Sequence, residues 1–198
     1  QLPFNGFPYP PAINLLVFVH AVNGLDPGLY LLNRNPDRWE AFLENCLEEV
    51  QPLSTLSDTK LALYTLGSPT SVRKTASQIS CYQGLGGRGA FSLAMIADFR
   101  NVLETEGPWA YRRLHWEAGL IGQVLYLEAE ASGLQGTGIG CFFDDEVLKL
   151  MNGRSPEQGA WQSLYHFAVG AGLNDGRVMT EPAYAHLSDR SPMQQVKS

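Results

Sequence analysis

Residues 133–147, GLQGTGIGCFFDDEV, place glycines at 133, 136, 138 and 140 ahead of two phenylalanines and two aspartates. Backbone without side chains presents bare N–H and C=O groups, and a flat, hydrogen-bonding ligand can lie directly against it. The same bareness suits a tight, buried strand and turn, and the residues alone leave both readings open. A second glycine run, GLGGRG at 84–89, satisfies the G-x-G-x-x-G spacing of a dinucleotide-binding turn. Its context does not fit. SQISCYQ before it is a poor buried strand and no second strand with an acidic end follows at the required distance, so a flexible glycine loop is the expectation.

The four histidines, His20, His115, His166 and His186, have no partner at metal-ligand spacing, and His20 and His166 fall inside apolar runs. Both read as hydrogen-bonded core histidines. No G-x-S-x-G elbow presents a serine nucleophile. Asp144, Asp145 and Glu146 read as cap and dipole residues of a following helix rather than as an acid–base or metal cluster. Trp109, Tyr111 and Trp116 with Arg112 and Arg113 fit either a stacking and anion site or the two faces of a helix start. No metal ligands and no catalytic acid or base are assigned.

These residues need elements to hold them. INLLVFVHAV (13–22) is β-branched and nearly continuously apolar, as in a strand covered on both faces, and GLDPG supplies turn chemistry ahead of LYLLN. Asn35 and Pro36 open a helix in which Trp39, Phe42, Leu43, Cys46, Leu47 and Val50 recur at helical spacing. KLALYTL (60–66) is a short strand. Residues 67–89, rich in Ser, Thr and Gly, are expected to be loop, and Phe91, Met95, Asp98, Phe99 and Val102 fit a second helix. The clearest helix runs from Tyr111 to Ser132, with Leu114, Ala118, Ile121, Leu125 and Ala129 on one stripe and Gly133 as a left-handed cap. Gly119 and Gly122 inside it point to close packing against another backbone. A short helix ends at Met151, and WQSLYHFAVG (161–170) alternates as a strand.

This order suits an α+β layered domain. Residues 1–12 form a proline-rich arm, 13–185 one domain and 186–198 a polar tail. With 198 residues and 44% apolar content the chain is long enough for a substantial core. A net charge of −6 and no basic block speak against nucleic acid or an anionic membrane as partner. Cys46, Cys81 and Cys141 are odd in number and far apart, which fits neither a disulfide framework nor structural zinc and points to a reducing, cytoplasmic setting.

YRRLHWEAGLIGQVLYLEAEASGLQGTGIGCFFDDEVLKLMN (111–152), followed by SLYHFAVG (163–170), resembles the C-terminal half of the nitroreductase-fold flavoproteins. The similarity is sharpest to the subgroup of SagB-type dehydrogenases, which oxidise azolines during peptide maturation, and VFVHAVNGLDPGLYLL (17–32) resembles that subgroup as well. The resemblance implies an α+β fold with a central mixed or antiparallel sheet flanked by helices. It also implies FMN at the interface of a dimer and transfer of a hydride between flavin and NAD(P)H or a small or peptidic substrate. Gly138, Ile139, Gly140 and Cys141 match the stretch whose backbone runs beside the isoalloxazine ring, and Arg177 in NDGRV falls where a basic residue lies near the phosphate. Tyr111 and Arg112 are substrate-side candidates. The family's arginine- and serine-rich segment, which holds the FMN phosphate before the first strand, has no counterpart upstream of Ile13. SVRKTAS (71–77) lies after two strands and a helix and is not equated with it. Two readings follow: an FMN-dependent oxidoreductase, as a homodimer or paired with a second nitroreductase-like half, or a non-catalytic half that serves as a pairing or scaffolding domain.

Overall fold

The computed structural model describes residues 4–38, 51–52, 62–66, 71–152, 161–173, 176–177, 179, 181 and 183–187. Seven strands, β1 (Ile13–Val19), β2 (Gly28–Asn33), β3 (Gln51–Pro52), β4 (Ala62–Thr65), β5 (Phe91–Ala97), β6 (Gln135–Ile139) and β7 (Gln162–Gly170), form one sheet in the order β3-β4-β2-β1-β5-β7-β6. Every pairing is antiparallel. Five α-helices among the described residues accompany it: α1 (Val72–Ile79), α2 (Leu85–Arg88), α3 (Phe99–Glu106), α4 (Ala110–Ala131) and α5 (Asp144–Asn152). The helix expected behind Asn35 lies outside the described residues beyond a 3-10 turn at Pro36–Arg38; Cys46 and the residues from 188 onward lie outside them as well.

The alternation of side chains along a strand divides the core in two. Ile13, Leu15, Leu93, Met95, Phe167 and Val169 point to the face covered by α4, against Leu114, Ala118 and Ile121. Leu16, Phe18, Leu29, Leu31, Ala94 and Ile96 point to the other, against Val72, Ala76 and Ile79 of α1 and Val147, Leu148 and Met151 of α5. The result is three layers, helix on sheet on helices.

Several sequence expectations change here. Phe91–Ala97 is strand, not helix. It lies between β1 and β7 with six of its seven residues buried, and a strand buried on both faces loses the alternation that distinguishes it from a helix. The helical spacing resumes only in α3. Residues 67–89 contain α1 and α2 rather than loop alone. Ser71 caps α1 through its Oγ, which accepts from Lys74 N–H at 3.3 Å, and the apolar stripe is only Val72, Ala76 and Ile79. GLGGRG is no flexible loop either. A side chain at Gly87 would collide with the Arg73 carbonyl, so the glycines let α2 lie against α1.

The long helix agrees with expectation, and Gly133 behind it has φ +67°. Its internal glycines do not meet another backbone. Gly119 faces open space, and a Cβ at Gly122 would come 3.1 Å from the Tyr165 ring. α4 also carries a polar clamp that periodicity did not reveal. The buried Glu117 carboxylate accepts from Ala12 N–H at 3.0 Å and from Arg34 Nη1 at 2.6 Å. Buried Arg113 donates to Glu106 at 2.6 Å and lies over the Tyr9 ring. The N-terminal arm is thereby held against α4.

Candidate functional site

Among the described residues β6 is an edge strand, paired with β7 alone, and the glycine-rich stretch runs along it and off its end. Its alternate residues meet different surroundings. Gly136 and Gly138 face α4, where the rings of Tyr126, Tyr165 and Phe167 fill the space that their side chains would take. A Cβ at Gly138 would collide with the Tyr165 hydroxyl, and Gly138 N–H donates to Tyr126 Oη at 2.8 Å. Tyr165 thus occupies a slot between Gly122 of α4 and Gly138 of β6. Gly140 is different: it is exposed, and nothing lies within 4 Å of where its Cβ would be. Of the candidate stretch, Ile139 is buried, Gly138 is committed to internal packing, and Gly140 offers open, bare backbone.

The segment after Gly140 is pinned from below. Phe142 stacks on the buried His166 ring, centroids 4.2 Å apart and 9° from parallel. Phe143 N–H donates to the Ile79 carbonyl at 2.8 Å, and Gln83 Nε2 donates to the Cys141 carbonyl at 3.3 Å. Cys141 is disulfide-bonded to Cys81 in the α1–α2 connection, with their Cα atoms 5.8 Å apart. This corrects the expectation that the cysteines form no disulfide. Separated by 60 positions in the chain, the two meet because the end of β6 lies against the corner after α1.

Arg177 lies in an exposed turn beyond the end of β7. Gly170, where β7 ends, pairs with Gln135, at the opposite end of β6 from Gly140. On the face of β6 opposite α4, Gln135 and Thr137 line a cavity of about 570 Å3 with Leu85, Arg88, Gly170 and Leu173. That volume falls within the ~300–1,000 Å3 of small-molecule sites. Arg88 of α2 and Thr137 of β6 come together at this cavity only in three dimensions. Tyr111 and Arg112 are both exposed at the start of α4. Arg73, in the SVRKTAS segment, donates to the carbonyls of Gly87 and His20 and so serves the packing of α1.

Both apolar-run histidines are hydrogen-bonded, His20 Nε2 to the Gly86 carbonyl at 2.9 Å and His166 Nε2 to Ser163 Oγ at 3.0 Å. Burial holds the His166 imidazole down at about 3, against 6.5 for the free side chain. A proton therefore binds the unfolded chain in preference. Below pH 6.5 stability is expected to fall by up to about 1.4 kcal/mol per unit until about pH 3, and above 6.5 this histidine contributes no pH dependence. Urea midpoints for the natural chain and His166→Gln over pH 4–8 check this; the variant should give the flatter curve.

Among the described residues no group of three His, Cys, Asp or Glu could hold a metal ion, and no helix is long and apolar enough to cross a membrane.

The model of the Nitroreductase family matches residues 28–171. No curated protein matches the chain. Among solved structures, a protein described as a nitroreductase from Anabaena variabilis superposes with a TM-score of 0.62 at 24% identity, covering 82% of this chain and 27% of that one. A chain of the Escherichia coli microcin synthetase McbBCD complex with truncated pro-MccB17 bound gives 0.57 at 19% identity, covering 84% and 53%. A protein described as a nitroreductase from Ralstonia eutropha gives 0.51 at 13% identity, covering 83% and 60%. The chain thus spans between 27% and 60% of the length of these three.

Proposed function

The chain belongs to the nitroreductase family, whose members are FMN-dependent oxidoreductases, and from that premise we propose that it binds FMN against the backbone of Gly138–Cys141 and is an oxidoreductase. The observation that carries this reading is Gly140, which unlike Gly136 and Gly138 has nothing within 4 Å of its Cβ position and whose following residues are fixed by the Phe142–His166 stack and the Cys81–Cys141 bond. Bound FMN supplies hydride chemistry, between a nicotinamide donor and an acceptor or from a substrate. The protein's part is to hold and orient. Ile139, buried on the face of β6 opposite α4, and Phe142, stacked on His166, keep the Gly140 backbone in place, and Arg177, in the exposed turn beyond β7 toward the other end of β6, is proposed as the cation for the phosphate, its planar fork suited to phosphate oxygens. No side chain is required as nucleophile. His166, uncharged above about pH 3, supports the site without exchanging protons in the physiological range.

The pairing surface in this reading is α4. Trp116 is 55% and Leu127 60% exposed, with half-buried Leu120 and bare Gly119 between them, an apolar stripe at helical spacing. A second copy or a second nitroreductase-like half would cover it. Membership of the SagB-type subgroup, a small or peptidic substrate, NAD(P)H as donor and a cytoplasmic setting belong to the same proposal. The likeness to a microcin synthetase chain agrees with a peptidic substrate at the level of fold alone.

Gly140→Trp is expected to lower FMN affinity at least about tenfold, ~1.4 kcal/mol, because the indole fills the space over the backbone. Stability should change by no more than about 0.5 kcal/mol, the position being exposed. Flavin absorbance retained after removal of excess FMN measures the first and urea unfolding the second. The oxidoreductase reading is abandoned if the longest natural form, saturated with FMN, is reduced by no nicotinamide donor and dehydrogenates no candidate substrate. The pairing-domain reading is then left, with a stable assembly and no flavin site at 137–141.

A further inference from the structure

The Cys81–Cys141 bond sits where the cofactor-facing backbone meets the helical layer. Cys141 follows Gly140 directly and is exposed, while Cys81 is half-buried. The corner that carries Cys81 is conformationally unfavourable: Cys81 and Tyr82 have φ of +54° and +58°, the left-handed region that non-glycine residues avoid. Three weaker ties accompany the bond: Phe143 N–H to the Ile79 carbonyl, Gln83 to the Cys141 carbonyl, and an edge contact between the Tyr82 and Phe143 rings at 5.9 Å. Tyr82 is 74% and Phe143 40% exposed, so little burial reinforces them. The disulfide is thus the strong connection between the 140–143 segment and the α1–α2 corner, whose left-handed residues are otherwise held by two backbone hydrogen bonds, Tyr82 N–H to the Gln78 carbonyl at 3.3 Å and Gln83 N–H to the Ser80 carbonyl at 3.0 Å.

We propose that Cys81–Cys141 is a reversible thiol–disulfide site, reduced by a dithiol, that switches the Gly140–Phe143 segment between a pinned and a loosened state and with it the affinity for FMN. The coupling to FMN rests on the reading of Gly140 given above. The chemistry is thiol–disulfide exchange. A thiolate of the dithiol attacks the exposed Cys141 sulfur, the S–S bond breaks and Cys81 leaves as thiolate. The second thiol then resolves the mixed disulfide. Two electrons and two protons pass from the dithiol to the cystine, which becomes two cysteines as the dithiol becomes a disulfide. Once the bond is open, Cys81 and Tyr82 can leave the left-handed region, and the ties left between the corner and the segment are exposed, so the segment loosens from the corner while the Phe142–His166 stack still anchors it to β7.

The experiment compares the longest natural form, purified without thiols, before and after treatment with dithiothreitol. Iodoacetamide should label Cys81 and Cys141 only after reduction; labelling of both beforehand overturns the proposal. Hydrogen exchange in 139–143 and 80–83 should accelerate by about tenfold or more on reduction, while β1 and β5 stay protected. Unchanged exchange overturns the proposal whether or not flavin binds. FMN should bind about tenfold more weakly to the reduced protein and to Cys141→Ser, and the variant should not respond to dithiothreitol. Equal affinity in both redox states overturns the coupling. If exchange responds to reduction but neither form binds FMN, the switch stands and the flavin reading fails.

Discussion

Replacing Glu117 with alanine is expected to lower stability by about 3–5 kcal/mol, read as the urea midpoint at neutral pH. Glu117 is 1% exposed and collects two donors from distant parts of the chain, Ala12 N–H and the Arg34 guanidinium. Removing it leaves a largely buried cation and an amide without their acceptor, and uncompensated burial is what makes breaking such a pair costly. Arg34 keeps two supports, the Ile13 carbonyl at 2.9 Å and the face of Phe4, which argue for the lower end of that range. Glu117→Gln, which retains an acceptor but not the charge, should fall between. The joint replacement Glu117→Leu with Arg34→Met should cost less than Glu117→Ala alone, because no buried charge remains. A loss below about 1 kcal/mol for Glu117→Ala would show that the clamp does not hold the arm and α4 together.

Gly138→Ala should also destabilise, by about 1–3 kcal/mol, although alanine replacing glycine within a strand ordinarily gains a little from reduced chain entropy. The sign is set by Tyr165, whose hydroxyl fills the place of the missing Cβ. Tyr165→Phe removes the first obstruction but leaves the ring carbon 2.7 Å from that Cβ, so it should recover only part of the loss. A double-mutant cycle with Tyr165→Leu should recover more and give a coupling of about 0.5–3 kcal/mol. Thermal or urea unfolding of the four proteins decides it, and strictly additive effects would mean that Tyr165 is not the reason for glycine at 138. The result bears on the site as well, since it assigns Gly138 to packing and leaves Gly140 as the bare position facing outward.

The glycine stretch was the most visible chemical signal in the chain, and its two readings, ligand-facing backbone and tight buried strand, turn out to divide between neighbouring residues. Gly136 and Gly138 answer to aromatic rings from β7 and α4, whereas Gly140 answers to nothing inside the molecule. Strand periodicity states that 138 and 140 share a face; it does not state where the covering layer ends. Likewise β5 read as a helix because burial on both sides removed the alternation that marks a strand, and α1 was hidden because only Val72, Ala76 and Ile79 of its residues are buried.

Local chemistry by itself determined β1, β2, β4, α4, β7 and the left-handed cap at Gly133, because each depends on apolar periodicity or backbone preference within a few residues. It also carried the family resemblance, whose motifs are each a local run, at 17–32, 111–152 and 163–170. Only the tertiary structure decided the rest: the Cys81–Cys141 bond across 60 positions, the Glu117 clamp on Ala12 across 105, and the slot that Tyr165 fills between Gly122 and Gly138. Those contacts join residues whose neighbourhoods in the chain carry no mark of one another, so they exist only once the layers have packed.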